Sequence, residues 1–418
     1  YRWENSSGKS GYSVACANEW KHGICYKPQI KCSDCKSRQL LPITQEVLYS
    51  HLTGQKVIGI YPLLATDQCR LLAVDFDKSD WKNCVTAFSE ACLSLNIPFL
   101  VERSRSGNGA HVWIFFSEPI AAKQARLMGA GILDKAMELY PALDFESYDR
   151  MFPNQDHMPA GGFGNLIALP LQKHARALGN STFIDSNFNA FTDPWTVLQQ
   201  TELMSSSEVN NIVNELGYNF IEQNQTDVDH EAPWVKNIPK KNQKIAGCPD
   251  AIELVFANMI HIPIQTLPSQ LIAQLKRLAT FSNPRFFKAQ AMRFSTTGIP
   301  RHICCARLEG QYLSLPRGCL TDIIHLLNQQ DTKIKLKDQR TKGNILVNIN
   351  LLTELSSEQE MACKKILEHD VGVLHAPTAF GKTVTAISII AKRQTNTLII
   401  VHNKELVSQW KERLHSFL

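Results

Sequence analysis

The chain has no apolar run of the roughly 18–20 residues that a helical membrane span requires. It opens YRWENSSGKSG, with neither an initiator Met nor an apolar leader stretch, so no secretory signal is expected and the sequence reads as a fragment or trimmed piece. Strong charge is also missing: a net charge of +5 and a pI near 8.5 permit a nucleic-acid partner without arguing for one. No internal repeat is visible. What is present is ordinary for folded protein, 44% hydrophobic and 20% charged residues over 418 positions, enough for two to four domains with their own cores. Twelve Cys without a secretory signal point to reduced thiols and metal ligation rather than disulfides, and to the cytoplasm.

Residues 1–50 hold four of those Cys and show little periodicity. From about Val57, short apolar runs alternate with helical stretches over 51–220. VIGIYPLL, RLLAVDFD, PFLVERS and HVWIFF read as strands, and DWKNCVTAFSEACLSLN and KQARLMGAGILDKAMELY as helices, which predicts an α/β layer. A polar stretch rich in Asn, Gln, Asp, Lys and Pro reads as a linker over 221–247. Mixed helix and strand follow over 248–350, then a further α/β segment over 351–418.

Cys16, Cys25, Cys32 and Cys35 are spaced C-x8-C-x6-C-x2-C. A C-x-x-C pair lets two thiolates of one tight turn reach one ion, and an upstream pair can complete the tetrahedron. The expected metal is a structural Zn²⁺, since four thiolates leave no open position; His22 is a candidate substitute ligand. Lys21, Lys27, Lys31, Lys36 and Arg38 around the cluster argue against burial of these Cys as plain apolar side chains.

LLAVDFD places Asp75 and Asp77 two apart on a strand, so both side chains leave the same face. Paired carboxylates repel unless a cation lies between them, the arrangement that two-metal nucleotidyl transfer uses. Some 34 residues on, RSRSGNGAHVWIFF follows. Its small residues Ser106, Gly107 and Gly109 allow backbone amides to approach an anion, and His111 opens the next strand, within reach of a phosphate oxygen. A solvated strand end and a glycine-rich hairpin are the plain alternatives for each motif alone.

AVDFD followed by SGNGAHVWIFF resembles the first two motifs of the archaeo-eukaryotic primase superfamily. YDRMFPNQDHMPAGGFGNLIALPLQKHARALGNSTFID is similar to the primase domain of mobile-element conflict systems, in which primase and helicase share one polypeptide. The resemblance runs from about Cys16 to Trp195. It implies an α+β catalytic domain with an RRM-like sheet behind an N-terminal zinc module. It further implies acids that bind Mg²⁺ or Mn²⁺ and a His on the incoming nucleotide's phosphates. It also implies a third metal-binding acid. Asp149 is the candidate, in competition with Asp144, Glu146, Asp156 and Asp185. Lys173, His174 and Arg176 beyond that motif, with Arg103 and Arg105, are candidates for triphosphate or template phosphates.

GVLHAPTAFGKTVTAISII contains a phosphate loop from Ala376 to Thr383, between an apolar run and a helical pattern. Backbone amides around Gly381 would cradle phosphates, Lys382 would neutralise them and Thr383 would reach Mg²⁺. With Gln359 upstream and TLIIVHNKELVSQWKERL downstream, the segment resembles the start of a superfamily 2 helicase motor. The 248–350 stretch resembles the accessory domain that precedes such motors. No Asp-Glu motif follows the loop, so ATPase and unwinding activity are expected to need the remainder of a helicase.

The expected function is therefore template-dependent primase or polymerase chemistry on single-stranded DNA or RNA, using a primer and NTPs or dNTPs, with no membrane partner. The rivals are a non-catalytic nucleic-acid-binding module that positions a helicase, and an ATP-driven motor.

Overall fold

The computed structural model describes residues 1–4, 10–77, 79–143, 150–216, 244–296, 298–341, 343–346 and 349–418. They form two compact units, one made of Tyr1–Glu253 with Ile262–Lys335, the other of Leu254–His261 with Leu336–Leu418. The fold is mixed α/β with several sheets. Among the described residues no helix is long and apolar enough to cross a membrane.

The first unit is organised by a five-stranded antiparallel sheet. Its strands are Gln68–Phe76 (β1), Leu100–Arg103 (β2), Ala110–Ala121 (β3), Met151–Phe152 (β4) and Thr182–Ile184 (β5). Their spatial order is β4-β1-β3-β2-β5. Three of the four expected strand segments and both expected helices are present, the helices as Trp81–Ser94 (α1) and Ala122–Leu139 (α2). VIGIYPLL departs from expectation: only Gly59–Ile60 is strand, paired antiparallel with Ile167–Ala168.

Period-two alternation splits the sheet into two faces. Leu72, Val74, Phe76, Val112, Ile114 and Phe116 belong to one core, with Val85 and Phe88 of α1 and Met128, Ile132 and Leu133 of α2. Ala73, Leu100, Trp113 and Phe183 form a smaller core on the opposite face, joined by Ile167 and Leu171. The helices therefore cover one side of the sheet. The other side takes the odd-numbered positions of β1 and β3, including Asp75 and His111.

Residues within Ile262–Lys335 pack onto this layer within the same unit. The helix Ser269–Leu278 lies along α2, where Arg277 reaches Asp134 at 3.2 Å and Glu138 at 3.6 Å. Asp156 is 5% exposed and is gripped by Arg126 at 2.6 Å and Arg301 at 3.2 Å. Gln290 completes the cage, donating to Asp156 Oδ2 at 2.9 Å while accepting from the Asp156 backbone N–H at 3.1 Å. A buried acid held by two guanidiniums and an amide is a joint, since removal of any partner leaves an uncompensated charge.

Candidate active site

Strand register assembles the site. Asp75 of β1 lies opposite His111 of β3, and His111 lies opposite Glu102 of β2. The three side chains form a row across three adjacent strands on the helix-free face. His111 Nε2 is 3.5 Å from Asp75 Oδ1, and His111 Nδ1 is 3.0 Å from Glu102 Oε2. Glu102 is 2% exposed; it also accepts from the Trp113 indole N–H at 2.9 Å and the Ser181 hydroxyl at 3.3 Å.

Asp77 leaves the end of β1 on the same side as Asp75. Arg150 reaches both acids, at 3.6 Å from Asp75 Oδ2 and in close contact with Asp77. Its guanidinium bridges the two converging carboxylates. Hard oxygen donors of this kind suit Mg²⁺ or Mn²⁺.

Electrostatics follow from the row. Burial pushes the Asp75 carboxyl above the ordinary carboxylate range, with the Asp77 and Glu102 charges acting the same way against His111 and Arg150. Burial alone would lower the His111 imidazole. The hydrogen bond and charge of Glu102, joined by Asp75 and Asp77, raise it above its usual value instead. The protonated imidazole is thereby favoured beside the acids, a positive group suited to phosphate oxygens.

The Gly-rich turn is a hydrogen-bonded hairpin connection. Ser104 N–H donates to Gly109 O at 2.9 Å and Gly107 N–H to Ser104 O at 3.0 Å. The Ser106 hydroxyl lies 3.1 Å from that of Ser104 and accepts from Asn108 N–H at 3.3 Å. Gly109 is required by packing: a Cβ there would come within 2.5 Å of Phe76 O and 3.0 Å of Asp77 Cα. The glycine thus lets the turn press against the end of β1 that presents Asp77.

Of the candidate third acids, Asp149, Asp144 and Glu146 lie outside the described residues. Asp156 is committed to Arg126 and Arg301, and Asp185 accepts from the backbone N–H groups of Asn187 and Asn189 at 2.9 and 2.8 Å. The candidate cations divide. Arg176 stacks over Trp195 and Lys173 is exposed on the short helix Lys173–Arg176. Arg103 donates to Phe188 O at 2.9 Å. Arg105 and His174 instead line one cleft of about 550 Å³ with Lys56, Arg2 and Trp3.

Sequence reasoning missed Glu102 and Arg150. The period-two pattern places Glu102 on the site face once β2 and β3 are known to be paired, but that pairing is a tertiary fact. Arg150 directly follows Asp149, inside the motif read for that acid.

Cys16, Cys25, Cys32 and Cys35 are free thiols that together line one void of about 30 Å³. The Gln39 N–H donates to Cys16 Sγ at 3.4 Å. Among the described residues no group of three or more His, Cys, Asp or Glu is arranged to hold a metal ion, and the zinc expected from the spacing is not shown.

In the second unit, Gly381 is the N-cap of the helix Lys382–Arg393 in a left-handed conformation, φ 89°. A Cβ there would come within 2.5 Å of Gln359 Nε2. Gln359 donates to Phe380 O at 2.8 Å, and its side chain closes a capping box with Ser356. Lys382 Nζ folds back onto Ala376 O and Pro377 O at 2.9 and 2.8 Å, within the loop that phosphates would enter. Thr383 follows it in the first turn. The apolar runs around this loop are not paired strands, and Val373, Leu398 and Ile400 are exposed.

A five-stranded antiparallel sheet thus carries paired aspartates and a histidine on its open face. The chain belongs to the archaeo-eukaryotic primase domain family of TOTE conflict systems, whose model matches residues 1–212. Residues 352–418 match the res subunit family of type III restriction enzymes. A stretch of 65 residues is 38% identical to the DNA 3'-5' translocase XPB2 of Sulfurisphaera tokodaii, covering 16% of this chain and 15% of that protein. Another, of 82 residues, is 34% identical to helicase 109L of Invertebrate iridescent virus 3, covering 20% of this chain and 25% of that protein. The chain thus spans a quarter or less of the curated relatives it matches. It joins a primase-type domain to a helicase-like segment.

Proposed function

We propose that the primase-type domain is a template-dependent nucleotidyltransferase, extending a primer or an initiating nucleotide on single-stranded DNA or RNA with NTPs or dNTPs. The observation that carries this reading is the row Asp75–His111–Glu102 with Asp77 at its open end, both aspartates gathered on the Arg150 guanidinium. Asp75 and Asp77, with Asp149 as the third acid, would hold Mg²⁺ or Mn²⁺, which when bound supplies charge stabilisation on the triphosphate and an activated hydroxyl. His111, held by Glu102, presents Nε2 at the edge of the acid pair, where it would donate to a phosphate oxygen. Arg150 would move from the carboxylates to the triphosphate as the metal takes its place. The cleft bearing Lys56, Arg105 and His174 beside the exposed Trp3 ring has the charge and stacking surface that a single strand uses.

Zn²⁺ would be held by Cys16, Cys25, Cys32 and Cys35. The support is chemical: four thiols surround one small void, with a backbone N–H already directed at one sulfur. The Gly381–Thr383 loop and Gln359 would bind a nucleoside triphosphate in the helicase-like segment.

The test is extension of a primed and an unprimed single-stranded template with each nucleotide set, under Mg²⁺ and under Mn²⁺. Wild type should extend and Asp75→Ala should not. Equal failure of both proteins with either metal would favour the non-catalytic, nucleic-acid-binding alternative.

A further inference from the structure

The Arg150 guanidinium that bridges the two aspartates also forms one end of a cleft of about 280 Å³. Asn154 continues the wall on the catalytic side. Phe286, Thr296, Ile299 and Pro300 form the opposite wall. That opposite wall lies well beyond residue 212, where the primase-family match ends. We propose that this cleft receives the sugar and base of the incoming nucleotide, so that Phe286, Thr296, Ile299 and Pro300 complete a nucleotide site the primase domain alone leaves open on one side. The proposal rests on the nucleotidyltransferase reading and specifies where that reaction's substrate sits.

Three observations support it. The first is charge: among the described residues Arg150 is the charged residue lining the cleft, and it contacts Asp75 and Asp77, whereas Phe286, Ile299 and Pro300 are apolar. A triphosphate belongs at the first end and an uncharged, partly apolar nucleoside at the second. The second is hydrogen bonding. Thr296 is 1% exposed, and among the described residues its Oγ1 and the Asn154 Oδ1 are buried without a hydrogen-bond partner. Buried polar atoms are ordinarily satisfied. One acceptor and one hydroxyl on residues that line the same cleft suit sugar hydroxyls or a base edge.

The third is rigidity. Gln155 Nε2 donates to Phe294 O at 3.2 Å, and Ala160 N–H donates to Arg293 O at 2.7 Å. The Asp156 cage ties Gln290 and Arg301 to the same stretch. Asn283 Nδ2 donates to Pro300 O at 2.7 Å, and Ile299 N–H to Thr296 O at 2.9 Å. The far wall is thus fixed on both flanks of the cleft, and a preformed site loses little on binding.

The nucleoside chemistry could equally come from the 3′-terminal residue of a primer, and steady-state extension separates the two. Ile299→Trp, which fills the cleft from a half-buried position, should raise the nucleotide KM by about tenfold or more. Thr296→Val should raise it several-fold, with kcat nearly unchanged in both. Thr296→Ser should restore the wild-type value, and the KM for primed template should not move. An unchanged nucleotide KM in folded Ile299→Trp, or a rise confined to the primed-template KM, would overturn the proposal. Should wild type fail to extend at all, calorimetry with dTTP and Mn²⁺ in a Lys382→Ala background, which silences the second triphosphate loop, still decides. Weaker binding by Ile299→Trp supports the site and equal binding rejects it, independently of whether Asp75 catalyses.

Discussion

Glu102 and His111 face one another across β2 and β3 with 3.0 Å between carboxylate oxygen and ring nitrogen. The same oxygen accepts from the Trp113 indole. The carboxylate is therefore locked, and it fixes the imidazole with its other nitrogen toward Asp75. Glu102→Gln preserves shape but removes the charge and one acceptor. Extension should slow by about tenfold or more, roughly 1.4 kcal/mol of transition-state stabilisation, while the melting temperature changes little. Glu102→Leu should also unfold more easily, because the buried Trp113 and Ser181 donors would each cost about 1–3 kcal/mol unpaired. Rate and melting curves measured together separate positioning from stability.

Asp75 and Asp77 are predicted to act through bound cations. Asp75→Asn and Asp77→Asn should abolish detectable extension while leaving the fold at least as stable, because each change removes like-charge repulsion beside Arg150. Thermal denaturation with and without Mn²⁺ is the check. Wild type should be stabilised by the ion and the double variant should not be.

The joint around Asp156 makes the first unit acid-sensitive. Burial opposes ionisation of Asp156, but Arg301 and Arg126 hold its carboxyl well below the ordinary range. Burial, reinforced by those two arginines, lowers the His302 imidazole to about 3. Both folded values lie below the unfolded ones, so the stability they contribute is present at neutral pH and lost as pH falls. For His302 the loss begins below the ordinary imidazole value and reaches roughly 2 kcal/mol at pH 5. Asp156 adds its share only at lower pH. His302→Asn should flatten the decline in melting temperature between pH 7 and pH 4.5 and leave the steeper fall below pH 4.

The cysteine cluster is predicted to hold one Zn²⁺ per chain. Metal analysis of protein purified without chelator should find it, and Cys32→Ser with Cys35→Ser should lose it. The variant should show early proteolysis within the first 50 residues, because a structural zinc site supplies about 10–16 kcal/mol to folding. Full-length protein free of zinc but cooperative throughout would argue against the assignment.

Local pattern made much of this legible. The alternation in RLLAVDFD and HVWIFF identified β1 and β3, and the spacing within D-x-D put Asp75 and Asp77 on one face, because period two is a property of any strand. The helix start after Gly381 could be read as well, because the glycine and the helix that follows it are contiguous in sequence. VIGIYPLL was misread because an apolar run does not reveal whether a partner strand is available, and here only Gly59–Ile60 finds one.

The amino-acid sequence by itself determined the chemical inventory of this protein: a cysteine cluster, an acid pair, a histidine after a glycine-rich turn and a Gly-Lys-Thr helix start, in that order. Only the tertiary structure decided which residues serve them. Glu102 became the partner of His111 through the pairing of β2 with β3, and Asp156 became a joint through Arg301, 145 positions away. Thr296 and Ile299 came to face Arg150 through the same packing. Such contacts depend on which surfaces meet after burial, a property of the whole chain that no local period encodes.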